Sequence, residues 1–135
     1  MTLTVYTDGA SRGNPGISSY GFVVFDEEKK LIYKEGKYIG VNTNNYAEHT
    51  AVLKAFEYII KKRKRTKKLH FFMDSKLVAE QLSGRYKVKS QTLLPLVRLT
   101  KSLEAMFEQV IYKHIPRSMN ALADEQANIA LDKLP

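Results

Sequence analysis

The chain has no cysteine among its 135 residues, so neither a disulfide framework nor a thiolate metal site is open to it. That fits a reducing compartment. The N-terminus carries no basic region leading into an apolar run, and no stretch is apolar for long enough to cross a bilayer. A cytoplasmic location without a membrane partner is therefore the expectation, with a monomer as the expected state. No internal repeat, low-complexity tract or linker divides the sequence, and residues 1–135 read as one domain, long enough to bury a core without staples. Acid is also scarce. Against 22 Lys and Arg stand 14 Asp and Glu, and the net charge of +8 favours a polyanionic partner, nucleic acid first. Membrane surfaces and acidic proteins share that preference. With 44% hydrophobic and 27% charged residues, the composition is that of a soluble globular domain and not of a disordered chain.

Alternating and β-branched runs predict strands at 2–8, 18–26 and 30–39, with Asp26-Glu27-Glu28-Lys29 as the polar turn between the second and third. The period then changes. Ala47, Ala51, Val52, Ala55, Phe56, Ile59 and Ile60 recur at helical spacing, with Asn44 or Asn45 as the cap. A fourth strand is expected over 67–74, and a short helix capped by Ser75 runs to Leu82, where Gly84 stops it. A helix over about 92–107, a strand over 109–115 ended by Pro116, and a helix over about 119–131 complete the chain. The order βββαβααβα implies an α/β fold with a mixed five-stranded sheet and helices on its faces.

Four acids fall at particular places in this scheme. Asp8 is expected to end the first strand, in Val5-Tyr6-Thr7-Asp8-Gly9-Ala10-Ser11-Arg12-Gly13-Asn14-Pro15-Gly16, and Asp74 to end the fourth. Two strand ends separated by a crossover helix can lie side by side at the carboxyl edge of a sheet. Glu48 reads as a first-turn residue on the core side of the long helix, in phase with Val52, Ala55 and Ile59. Asp124 lies early in the last helix, in phase with Ala127 and Leu131. Taken singly, each acid has a bland explanation in a β-turn, a cap or a helix dipole, worth ~0.3–1 kcal/mol. Taken together they would repel, and burying them unpaired would cost several kcal/mol each. A divalent cation resolves the conflict, and oxygen-only ligands favour Mg²⁺ or Mn²⁺. Two ions held roughly 3.5–4 Å apart would clamp the attacking and leaving oxygens of a phosphodiester.

At these residues the sequence resembles ribonuclease H of the type 1 class. Four motifs carry the resemblance in order: Tyr6 to Gly16, as quoted; Thr43-Asn44-Asn45-Tyr46-Ala47-Glu48; Met73-Asp74-Ser75-Lys76-Leu77-Val78; and His114-Ile115-Pro116-Arg117 through Asn120 to Asp124. The resemblance implies the ribonuclease H-like mixed sheet, antiparallel over the first three strands and parallel after. It implies hydrolysis of the RNA strand of an RNA–DNA hybrid with two Mg²⁺ ions, leaving 5′-phosphate and 3′-hydroxyl ends. Asp8, Glu48, Asp74 and Asp124 would be the catalytic, metal-binding acids, and His114 or Arg117 the active group of the loop before the last of them. Gly9, Ser11, Asn14, Thr43, Asn44 and Asn45 would meet the minor groove of the hybrid, where the 2′-hydroxyl distinguishes RNA from DNA. The long basic insertion of many bacterial members is replaced by Arg85-Tyr86-Lys87-Val88-Lys89-Ser90. Tyr86, Lys87 and Lys89 combine an aromatic face with cations and are the substrate-contact candidates there, or simply a helix connection.

The run Lys61-Lys62-Arg63-Lys64-Arg65-Thr66-Lys67-Lys68 closes the long helix, where cations complement the dipole and stay solvated. Lys64 lies 16 residues beyond Glu48, roughly 24 Å along a helix axis. Distal phosphate contact is the alternative reading of this run. Two rivals to a hybrid nuclease stay open at this point: a hybrid- or RNA-binding module without catalysis, and another nuclease of the same superfamily.

Overall fold

The centre of the molecule is β1 (Thr2–Gly13), which in this computed structural model, describing residues 1–134, is a full 12 residues long. It pairs antiparallel with β2 (Gly16–Phe25), which pairs antiparallel with β3 (Leu31–Asn42). On its other side β1 runs parallel to β4 (Lys68–Met73), and β4 parallel to β5 (Gln109–His114). The sheet order is β3-β2-β1-β4-β5. The helices are α1 (Asn44–Lys62), α2 (Lys76–Leu82), α3 (Leu94–Glu104) and α4 (Ala121–Asp132). The expected mixed sheet and its element order are those found.

Period-two alternation decides which side chains form the core. Leu3, Val5 and Thr7 of β1, Leu69, Phe71 and Met73 of β4, and Tyr20, Phe22 and Val24 of β2 share one buried face. The stripe Ala51, Val52, Ala55, Phe56 and Ile59 of α1 closes over it, and α3 packs against α1 through buried Val97. Phe56 and Phe71 meet with ring centroids 4.9 Å apart. Truncating a fully buried Phe such as Phe56 costs about 3–5 kcal/mol.

α4 covers the opposite face over β1, β2 and β3. Glycine makes this approach possible. A Cβ built on Gly36 would lie 2.1 Å from the Gln126 carbonyl oxygen, and one on Gly21 2.5 Å from that of Ala123. Ser19 Oγ donates to the Ala127 carbonyl at 2.6 Å and fastens the helix to β2.

Several boundaries differ from expectation for physical reasons. β1 continues past Asp8 through the glycine-containing segment, because Gly9, Ala10, Ser11 and Arg12 pair in register with Tyr20, Ser19, Ser18 and Ile17 of β2. Asp8 is therefore inside the strand and not at its end. The α1 cap is Thr43, whose Oγ1 accepts from Tyr46 N at 3.1 Å, and neither Asn44 nor Asn45 serves. This places Glu48 in the second turn of α1. α3 is shorter than expected at both ends, and α4 begins at Ala121 after a 3₁₀ turn over Arg117–Met119.

Candidate active site

The parallel ladder between β1 and β4 ends at the rung Thr7–Met73. Asp8 and Asp74 are the next residue on each strand, so the two carboxylates emerge together where β4 stops and β1 goes on. Gly9 brings the third acid to them. Its missing side chain lets α1 lie directly on β1, since a Cβ there would sit 2.3 Å from Glu48 N. Asp8, Glu48 and Asp74 each offer a carboxylate oxygen within 4.8 Å of the others.

Asp124 stands outside this triad but lines the same cleft of about 670 Å³. It is placed by α4, whose start is tied to β1. Asn120 is buried, and its Nδ2 donates to the Thr7 carbonyl at 2.9 Å, one residue before Asp8. From the sequence Asn120 reads as a helix start within the last of the four motifs. Nothing in its spacing announces a link to β1.

The other sequence candidates divide. Gly9, Ser11, Asn14, Asn44, Asn45 and Arg117 line the acidic cleft. Asn14 Oδ1 accepts from Asn44 N at 3.0 Å, so the β1–β2 turn is joined to the start of α1. Arg117 is exposed, with Nη2 4.0 Å from Asp124 Oδ1. Thr43 faces an adjoining groove that it shares with Asn14 and Asn45. Tyr86, Lys87 and Lys89 lie in the exposed connection after α2, and His114 is exposed at the end of β5. None of these four is among the residues lining the acidic cleft. Two residues escaped sequence reasoning altogether. His49 and Gln81 are buried behind Asn45, with His49 Nε2 2.9 Å from Gln81 Oε1. A signal existed for the histidine, since it sits on the apolar stripe of α1 with Val52, Leu53 and Phe56.

The electrostatics of the triad are strained. Burial pushes the Asp8 carboxyl up, to about 10, and the charges of Glu48 and Asp74 push in the same direction. Glu48 is raised as well, by burial first, with hydrogen bonds from Asp8 and the Gly9 backbone opposing and the Asp74 charge adding. At Asp74 burial outweighs the Arg117 cation and the Asn120 amide, and its carboxyl is raised. Glu48 Oε2 is buried without a hydrogen-bond partner. An unpartnered carboxylate oxygen among three crowded acids is the donor set a hard divalent cation requires, and oxygen-only ligands suit Mg²⁺ or Mn²⁺.

Comparison with known proteins agrees with this geometry. Residues 6–130 match the family model described as reverse transcriptase-like. The RNase H1 structure from Halobacterium salinarum superposes with a TM-score of 0.93 at 33% identity, covering 99% of this chain and 100% of that one. The chain belongs to the ribonuclease H family. A second ribonuclease H structure, LC11-RNase H1 in complex with an RNA/DNA hybrid, gives a TM-score of 0.91 at 36% identity, with 97% of each chain covered. A bifunctional protein of Mycobacterium tuberculosis is 39% identical over 133 residues, which are 98% of this chain but 36% of that protein. The chain likewise spans 63% of the Halobacterium salinarum ribonuclease HI sequence, with which it shares 35% identity. Among the described residues no helix is long and apolar enough to cross a membrane.

Proposed function

We propose that this chain hydrolyses the RNA strand of RNA–DNA hybrids in a divalent-cation-dependent, two-ion reaction that leaves 5′-phosphate and 3′-hydroxyl ends. The observation that carries the proposal is the convergence of Asp8, Glu48 and Asp74 within 4.8 Å at the mouth of a cleft rimmed by amide side chains. The hybrid bound in the LC11-RNase H1 structure supports the same substrate class here.

Asp8, Glu48 and Asp74 would hold the cations from three separate elements, and Asp124, which lines the same cleft, would add a fourth carboxylate. When bound, Mg²⁺ or Mn²⁺ ions supply an activated water and neutralise charge on the attacking and leaving oxygens. The protein positions the substrate. Asn14, Asn44 and Asn45 present side-chain amides, which can both donate to and accept from the 2′-hydroxyls that mark RNA. Arg117 offers its guanidinium to the scissile phosphate beside Asp124. The +8 net charge draws the polyanion in and makes its binding salt-dependent.

The test is incubation of labelled RNA–DNA, RNA–RNA and DNA–DNA duplexes with Mg²⁺ and with chelator. Cleavage confined to the RNA strand of the hybrid and abolished by chelator is the expected result. Hybrid that binds but is never cut would show a binding module instead. Arg117→Ala and His114→Ala, compared in the same assay, identify the loop's active group. Because Arg117 lines the cleft, its loss is expected to cost more in kcat, and a larger loss at His114 would transfer the role.

A further inference from the structure

Behind the amide rim lies a buried polar chain that the reaction as described does not use. His49 is fully buried one residue beyond Glu48, and Gln81 is buried on the inner side of α2, the helix that follows Asp74. Gln81 Oε1 lies 2.9 Å from His49 Nε2 and accepts from Asn45 Nδ2 at 3.4 Å. Since Oε1 is an acceptor only, His49 must carry its proton on Nε2, and two donors converge on one oxygen. His49 Nδ1 has no partner, so the imidazole has a single polar contact, and that contact is Gln81.

From this arrangement, resting on the functional reading above, we infer that His49 and Gln81 are positioning residues for Asn45 and thereby for recognition of the RNA strand. An asparagine amide can turn over and exchange its donor for its acceptor, which would blur discrimination at the groove. The oxygen of Gln81 draws Asn45 Nδ2 inward and leaves Oδ1 as the atom offered to the cleft. An acceptor there meets a hydroxyl donor such as a ribose 2′-hydroxyl and has nothing to gain from a 2′-deoxy sugar. His49 holds Gln81 in the rotamer that does this. The same contact joins α1 to α2, so the inference has to be separated from ordinary packing.

The experiment compares His49→Phe, which keeps a ring but loses the donor, with His49→Gln, whose side-chain amide can reach the place of Nε2. Gln81→Met removes the acceptor and serves as the second variant should His49→Phe fail to fold. Each is made alone and with Asn45→Ala. Steady-state cleavage of an RNA–DNA hybrid and the Asn45 side-chain amide resonance, assigned by its loss in Asn45→Ala, are the readouts. His49→Phe and Gln81→Met should raise KM about two- to tenfold, the effect of one hydrogen bond, with kcat little changed. His49→Gln should recover KM, and neither loss should add to that of Asn45→Ala. The Asn45 amide resonance should move in both donor- and acceptor-deleted variants. Full additivity with Asn45→Ala, a fall in kcat at constant KM, or an unmoved resonance would overturn the inference. Wild-type protein that leaves the hybrid uncut would sink the functional reading, while the resonance would still decide whether His49 and Gln81 orient Asn45.

Discussion

Three carboxylates held within 4.8 Å are costly to charge, and that cost is measurable at single residues. Asp8→Asn replaces one of the crowded carboxyls with a neutral amide, as does Asp74→Asn. Either change should abolish cleavage and leave the cation-free melting temperature unchanged or higher. A variant with near-normal turnover would remove that residue from the cation site. The raised carboxyls also fix a pH dependence. A carboxyl whose folded pKa exceeds its unfolded value binds more protons when folded, so its contribution is intact below the unfolded pKa and lost as pH rises. Asp8, Glu48 and Asp74 all shift upward, from ordinary values of 3.8, 4.5 and 3.8. In chelator, stability from this cluster should therefore decline as pH rises from about 4 through neutrality, and Mg²⁺ should reverse the decline. Thermal melts at stepped pH, with and without Mg²⁺, check this. Melts that do not respond to Mg²⁺ at pH 8 would contradict it.

At the level of elements, glycine decides how closely helices approach the sheet, and the helices decide where the acids stand. Gly36 shows this directly, since any Cβ there would strike the Gln126 backbone oxygen of α4. Gly36→Ala should destabilise the protein by about 1–3 kcal/mol in chemical denaturation. It should also lower kcat, because α4 carries Asp124. Unchanged stability would mean that α4 does not sit where described. The same residues explain what the sequence could and could not disclose. Alternation of Leu3, Val5 and Thr7 makes β1 legible, and the 3.6-residue period makes α1 legible, because burial of one face imposes both patterns. The extension of β1 to Gly13 was not legible. A glycine-containing segment reads locally as a turn, and only the pairing of Ser11 with Ser18 and the crossing of α1 over Gly9 show why glycine is required within a strand. The four acids were legible through their motifs. That Asp8, Glu48 and Asp74 meet within 4.8 Å, with Asp124 lining the same cleft, depends on helix placement, which no local pattern encodes. Asn120 and Gln81 act across 113 and 36 residues of sequence, a distance over which spacing carries no information.

For the whole molecule the excess of positive charge matters more than any one basic residue. Lys61 to Lys68 gather at the end of α1 remote from Glu48, around the start of β1, where Lys67 N and Lys68 N both donate to the Met1 carbonyl. None of the cations in this run is within 4.0 Å of a carboxylate among the described residues. Solvated cations at a helix end screen readily and do not select a partner. Replacing Lys62, Arg63 and Lys64 with Gln should therefore leave the salt slope of hybrid binding almost unchanged. A slope reduced by two or more would place this run on the duplex. The fold as a whole brings acids from β1, α1, the end of β4 and α4 to one cleft, and on the proposed function a cation would make their company stable. Diffraction from crystals soaked in Mn²⁺, recorded for its anomalous signal, tests this most directly. The prediction is a peak shared by oxygens of Asp8, Glu48 and Asp74 at roughly 2 Å, within the coordination range of such ions. Carboxylates that stay apart around a peak-free cleft would contradict it.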